Sequence, residues 1–541
     1  MGEKMRKIKL VPLCSVLSLT ALLNVSQAKI SNSKFKCKPS VDLKAFEQNS
    51  RAFMNQKPVK KNSKCEVVNH TLFNSEATKM NNKFVELKDR SRSELCQDVN
   101  GNQVCVRNLD QTAVIEGRAP IGQKDQVHNL VDNKNSVIDN LEEMESKGLT
   151  QSRLPIQPWS DDYWAIAKGV LGYRYADLMM QQVVKGKDEK TLYPSLRQYI
   201  EDNPVENYVL TGRIDELSPS EKYDLMIGDS EGRLTAKMWE DGQGYQDKYG
   251  MVEKWMGICH GWATAAYMLP RPVKSITVKS ADGKHDITFR PSDLKSLGSL
   301  LWANGQARSK FIGGRCNDKN PKQDENGRLL SQKCFDNNPG SWHMAVVNQI
   351  GVSKRSMVMD ATYDYEVWNH PITSYTYSYF NPVTLDHVET IEEGKVEMAA
   401  FYNDKFSKYR SNDAVAVVGV MMEVVYQIET RPSLSSVDNE FKDLSNRVMY
   451  YYDLEINAEG KIIGGEWYQN KHPDFLWTPP KHEKALSALD IAIRDQGVVV
   501  EKWDGKSSVP ALYQKYSEYA STRGQPIAAL IEKLFERASK D

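Results

Sequence analysis

Hydrophobic and polar positions change their rhythm several times along this 541-residue chain. Residues 29–150 are rich in Lys, Asn, Ser and Asp, with few aromatics and little sustained period beyond a helical stretch over 136–147. Such a composition buries too little apolar surface to offset the entropy of ordering a large core, so it reads as an N-terminal extension and a candidate pro-segment. The texture changes at Leu154-Pro155-Ile156-Gln157-Pro158-Trp159, where Tyr163, Trp164, Tyr173 and Tyr175 follow closely and a globular core, bounded as 151–430, begins. Short helices are predicted over 194–201 and 219–227, the second with Ser218 as N-cap, Pro219 at the first helical position and Glu221 closing a capping box. Another spans 257–268, where Ala263, Ala265 and Ala266 permit close packing and Pro270 and Pro272 end the element.

Alternating positions around Asp282-Gly283 predict a hairpin of 274–278 with 285–289. A second strand pair, 343–350 with 356–361, is predicted around Gly351, and the Val-rich 415–428 reads as a long strand. Residues 449–456 and 461–467 pair across Asn457-Ala458-Glu459-Gly460, a β-hairpin extension of the core within 431–480. Helical spacing returns through Leu486, Leu489, Ile491 and Ile493, then Ala528, Leu530, Ile531 and Leu534, giving a helical C-terminal segment over 481–541. The whole is α+β, a helix followed by antiparallel strands.

The first 28 residues set the compartment. Lys4, Arg6, Lys7 and Lys9 precede an apolar run to about Val25, and Ser26-Gln27-Ala28 supplies the small residues of a cleavage site, so 1–28 is a secretory signal peptide. Its apolar core is shorter than the ~20 residues that span a bilayer. Pro12-Leu13 before Cys14 is a poor lipidation motif. Cleavage turns the balance of 71 basic and 71 acidic residues into 67 against 70, a net charge of −3. Neither nucleic acid nor a membrane surface is expected as partner, since both need clustered positive charge. The pattern sets no oligomeric state.

Of eight cysteines, Cys14 leaves with the signal and seven remain. In an oxidising compartment six would pair. Cys96 and Cys105 flank the turn-forming Asn100-Gly101, Cys316 and Cys334 flank a polar loop, and Cys37 with Cys65 is the remaining pair. Cys259 is then the odd thiol, in Gly257-Ile258-Cys259-His260-Gly261-Trp262 near the start of a predicted helix. Partial positive charge at a helix N-terminus favours a thiolate there. A thiol nucleophile also needs an imidazole oriented by an acceptor. If the 343–361 hairpin turns near Gly351-Val352, His343 faces Asp360 across the pair, which makes Cys259, His343 and Asp360 a candidate catalytic triad, with Asp364 in reserve. A zinc site from Cys259, His260, Cys316 and Cys334 is the rival use, weakened by the absence of a C-x₂-C pair.

The order Cys, His, Asp, with the nucleophile helix before the strands, resembles the transglutaminase-like branch of the papain-type fold. The resemblance is to the elicitor-type transglutaminases of oomycetes and their bacterial relatives. It is carried by Pro158-Trp159-Ser160-Asp161-Asp162-Tyr163-Trp164, the Cys259 segment, Asp360-Ala361-Thr362, Val367-Trp368-Asn369-His370-Pro371, Gly464-Gly465-Glu466-Trp467-Tyr468 and His472-Pro473-Asp474-Phe475-Leu476-Trp477, over roughly residues 154–480. It implies a secreted protein-glutamine γ-glutamyltransferase whose partners are protein glutamine and a lysine or other primary amine. Water as acceptor, in a protease, amidase or deamidase of the same fold, is the alternative, followed by an inactive binding or wall-associated protein. A papain-type glutamine is missing, Glu253 standing six residues upstream of Cys259. By analogy with animal transglutaminases, Trp255 or Trp239 would supply an indole N–H to the oxyanion, while Trp262, Trp342 and Trp368 are candidates for a substrate groove. The Val-Trp-Asn-x-Pro stretch is similar to the surface peptide by which plants detect the oomycete enzymes; here His370 replaces its glutamine and Ile372-Thr373-Ser374 follows Pro371 without the basic residue, which argues against such recognition. The resemblance also raises calcium, and Asp229-Ser230-Glu231-Gly232 is an acidic cluster, but no EF-hand pattern exists and the sequence requires no cofactor.

Overall fold

A computed structural model describes residues 121–315, 337–362, 366–402, 404–469 and 472–540, together with Lys322 and short backbone stretches between Lys60 and Val106. The signal peptide, Cys37, Cys65, Cys316, Cys334 and Asp364 lie outside the described residues. Cys96 and Cys105 stand directly opposite each other in the antiparallel pair of Leu95–Val99 with Asn102–Val106.

Period-2 segments build one large, mostly antiparallel sheet. Its main path uses seven strands, numbered here in chain order: β1 (Lys310–Gly313), β2 (Val358–Asp360), β3 (Asn369–Phe380), β4 (Ala416–Ile428), β5 (Leu444–Ile456), β6 (Ile462–Trp467) and β7 (Phe475–Thr478). They lie in the order β6-β5-β4-β3-β2-β7-β1. The long strand β4 is buried along its whole length because both faces are covered, which suits its predominantly Val and Met sequence. One face packs a core of Tyr375, Tyr377, Met422, Val424, Tyr450, Tyr452 and Trp467 against the helix Pro339–Val346.

A second core is helical. Trp262 and Ala265 on the helix Cys259–Met268 pack with Leu294 and Leu297 on Pro291–Asn304. Leu530, Ile531 and Phe535 of the C-terminal helix Ala528–Ala538 complete the layer. Gly261 lets the two central helices close up, since a Cβ there would sit 2.2 Å from the Ser299 carbonyl oxygen. The helix Pro219–Ile227 forms with its capping box as the sequence predicts, and so does the hairpin Ile276–Lys279 with Asp286–Phe289.

Two expectations change. The segment beginning at His343 is not a strand: Pro339–Val346 is an α-helix that continues as a π-helix to Val352. Asn338 caps it by accepting from the Gly340 N–H, and Pro339 occupies the first turn, a helix-start signal that outweighs the apolar alternation after it. The boundary placed at residue 150 also fails to separate two packed units. Val127, Leu130, Val131, Ile138, Leu141 and Met144 are buried in the sheet core. Asp132 receives Arg355 Nε at 2.6 Å; desolvation raises its pKa, but the Arg355 hydrogen bond and charge win and hold it at about 2.

Candidate active site

Cys259 is the first residue of its helix, and the N-cap residue Ile258 brings no side-chain cap. First-turn N–H groups at such an end carry partial positive charge toward the sulfur. The turn before it is clamped from outside: Ile258 N–H donates to the Tyr163 carbonyl at 2.8 Å, and Ile166 N–H to that of Met256 at 2.9 Å. Gly257 is required, because a Cβ there would meet the Tyr163 carbonyl oxygen at 2.4 Å. The clamping segment is itself held by Asp161 and Asp162, which accept from the Trp164 indole and backbone N–H, both at 2.9 Å. Trp164 sits at φ 49°, a left-handed conformation unusual for a bulky residue.

The sulfur lies against the start of β3. The thiol donates toward the Val367 carbonyl at 3.7 Å, and Asn369 Nδ2 donates to Sγ at 3.6 Å. Asn369 Oδ1 accepts from the Trp477 indole N–H at 2.8 Å. Asp360 stands directly opposite Asn369 in the β2/β3 register and accepts the Trp368 backbone N–H at 2.9 Å and the Thr362 hydroxyl at 2.9 Å, which fixes the turn carrying Val367. Burial pushes the Cys259 thiol up to about 11; the Asn369 hydrogen bonds oppose this and the Glu429 and Asp360 charges add to it. The thiol is therefore neutral near pH 7 in this closed arrangement.

Of the proposed triad, Cys259 and Asp360 fall in one neighbourhood and His343 does not. Asp360 faces Asn369 across the sheet, not His343. The His343 Nδ1 lies 2.9 Å from the Tyr452 hydroxyl, and its ring packs edge-on to Tyr377 at 4.7 Å. Tyr377 is eight residues along β3 from Asn369, roughly 26 Å at the usual strand rise. Desolvation alone lowers the His343 pKa to about 3. The imidazole set beside the nucleophile helix is His370, edge-on to Trp262 at 5.9 Å, with Nδ1 2.9 Å from the Gln427 carbonyl and Nε2 3.8 Å from Glu429. It follows Asn369 in the strand and so projects to the opposite face.

The tryptophans divide. Trp368 walls the site, packed edge-on to Tyr163 at 5.4 Å. Trp262, on the nucleophile helix, is fully buried, its indole donating to the Trp159 carbonyl at 3.1 Å. Trp255 gives its indole N–H to Glu253 at 2.6 Å, while Trp239 is buried against Tyr193 in a satellite cluster. Trp342 belongs to the sheet core with Tyr450 and Trp467. The Val367–Pro371 stretch is not a surface peptide here: Trp368, Asn369 and His370 are 5%, 5% and 1% exposed. In the acidic cluster raised for calcium, Asp229 and Glu231 both hold the Arg233 guanidinium, at 2.7 and 2.8 Å. Asn369 and Trp477 are site residues that residue-type reasoning passed over; both lie in segments marked by the family resemblance, which was the available signal.

The site thus places a cysteine that opens an uncapped helix against an antiparallel sheet, with an aspartate on the adjoining strand. The chain belongs to the transglutaminase elicitor family, whose model matches residues 134–499. Among solved structures it is similar to the GP42 transglutaminase from Phytophthora sojae, at 20% identity and a TM-score of 0.44, over 69% of this chain and 97% of that one. Comparison with curated proteins finds no significant match.

Proposed function

We propose that the chain is a protein-glutamine γ-glutamyltransferase with Cys259 as nucleophile. Family membership supports the reaction class. The observation that carries the residue assignment is the Cys259 sulfur at an uncapped helix start, in contact with Asn369, which stands opposite Asp360 on the adjoining strand. Sγ attacks the glutamine carboxamide carbon, the C–N bond breaks, and ammonia leaves carrying the thiol proton. An amine then attacks the thioester, the S–C bond breaks, an isopeptide forms and the proton returns to sulfur. Cys259 is only 5% exposed. Such burial restricts bulk water and favours an amine delivered with its own chain as acceptor. On the sequence of residues 1–28 this chemistry takes place outside the cytoplasm.

The test is incorporation of a fluorescent primary amine into a glutamine-rich protein. Wild-type protein is expected to incorporate it and Cys259→Ala to lose incorporation by at least about 1,000-fold. Incorporation that survives in Cys259→Ala overturns the assignment, and ammonia release without incorporation would mean that water is the acceptor.

A further inference from the structure

We propose that Asn369 is a catalytic residue whose side-chain N–H completes the oxyanion hole, and that Trp477 is the positioning residue that aims it. The inference rests on Cys259 acting as the acyl-accepting thiol. An indole N–H can only donate, so the Asn369 oxygen must face Trp477 and the Nδ2 must face the other way, onto sulfur. The amide therefore has one orientation, set from the strand on the other side of β2. Trp477 stands opposite Val358 on β2, and β2 in turn places Asp360 opposite Asn369, so the indole reaches across one strand to hold the amide. Asn369 is 5% exposed, and its carboxamide is held before substrate arrives.

When Sγ bonds the carboxamide carbon, the C=O electron pair moves onto an oxygen one bond from that carbon. A nitrogen 3.6 Å from the sulfur is placed to meet it. In the resting site the same N–H faces a thiol sulfur, a weak acceptor, whereas in the tetrahedral intermediate it faces an oxyanion. Interactions that strengthen only as charge develops are the ones that accelerate the step. The Cys259 backbone N–H at the helix start is the other donor. Trp255 gives its indole N–H to Glu253, and Trp239 is packed against Tyr193 in a separate cluster.

The test measures acyl-enzyme formation from a glutamine peptide by intact-mass kinetics, which registers acylation whether amine or water follows, beside alkylation of Cys259 by iodoacetamide, which forms no oxyanion. In Asn369→Ala the acylation rate constant should fall by about 100-fold at unchanged peptide KM, with alkylation slowed far less. Trp477→Phe should lose about 10-fold in the same parameter, and Asn369→Ala/Trp477→Phe should be no slower than Asn369→Ala alone, because the indole acts through the amide. Acylation in Asn369→Ala within about threefold of wild type, or acylation and alkylation falling in step, overturns the catalytic role. Additive losses in the double variant overturn the positioning role. Absence of any acyl-enzyme in the wild type overturns the Cys259 assignment itself, and with it this inference.

Discussion

At the scale of single residues, His343 and Cys259 are each buried, in different parts of the fold, with opposite consequences. Burial keeps the imidazole neutral down to about pH 3 and keeps the thiol protonated up to about 11. For His343 the folded pKa lies below its ordinary 6.5. The unfolded chain therefore takes up a proton first as pH falls, and stability is lost between about pH 6.5 and 3. In His343→Phe the loss of thermal stability between pH 7 and 4 should shrink by a few kcal/mol at about 1.4 kcal/mol per pKa unit, as calorimetry would register. His472, also held at about 3, keeps part of the effect. Amine incorporation at neutral pH should stay within about threefold of wild type; a collapse of kcat with stability unchanged would return His343 to the chemistry. The place of Cys259 at a helix start was legible from Gly257 before it and the small residues after it. Asn369 was not, since an asparagine opening a strand has many bland uses and its partners are 110 and 108 residues away in sequence.

At the scale of elements, most helix ends and strand pairs were readable from caps and alternation. Pro219–Ile227, the hairpin around Asp282-Gly283 and the β5/β6 pairing all follow local signals. The segment Pro339–Val346 shows where such reading breaks down. Its Met, Ala and Val residues suit a buried strand or a buried helix equally, and only Asn338-Pro339 discriminates between them. Had the helix been recognised, His343 would not have been set across a hairpin from Asp360. Asn338→Ala should destabilise the protein by about 1 kcal/mol through loss of the N-cap, measured by urea denaturation. Asn348 then anchors the π-helical turn, giving its Nδ2 to the Ile138 and Met344 carbonyls, both at 2.9 Å.

At the scale of the whole molecule, a helical core carries the nucleophile and a sheet core carries Asp360, Asn369 and Trp477, so the site exists only where the two meet. The sequence change at residue 154 marks where aromatics become dense, not where the fold begins. The buried positions of residues 121–150 are too few and too irregular to show a period, yet Asp132, Asn133 and Ile138 hydrogen-bond to Arg355 and Asn348. A chain starting at Ile121 should therefore fold and incorporate amine, whereas one starting at Gln151 should lose its cooperative thermal transition; equal activity of the two would show that 121–150 only decorates the core. A signal-peptide-free chain that becomes more active on limited proteolysis before residue 121 would support a pro-segment role for the remainder of the extension. The account as a whole stands on one bond. Tandem mass spectrometry of protein quenched during turnover with a glutamine peptide should place the acyl group on Cys259; an acyl group on any other residue, or undiminished turnover by Cys259→Ala, would contradict it.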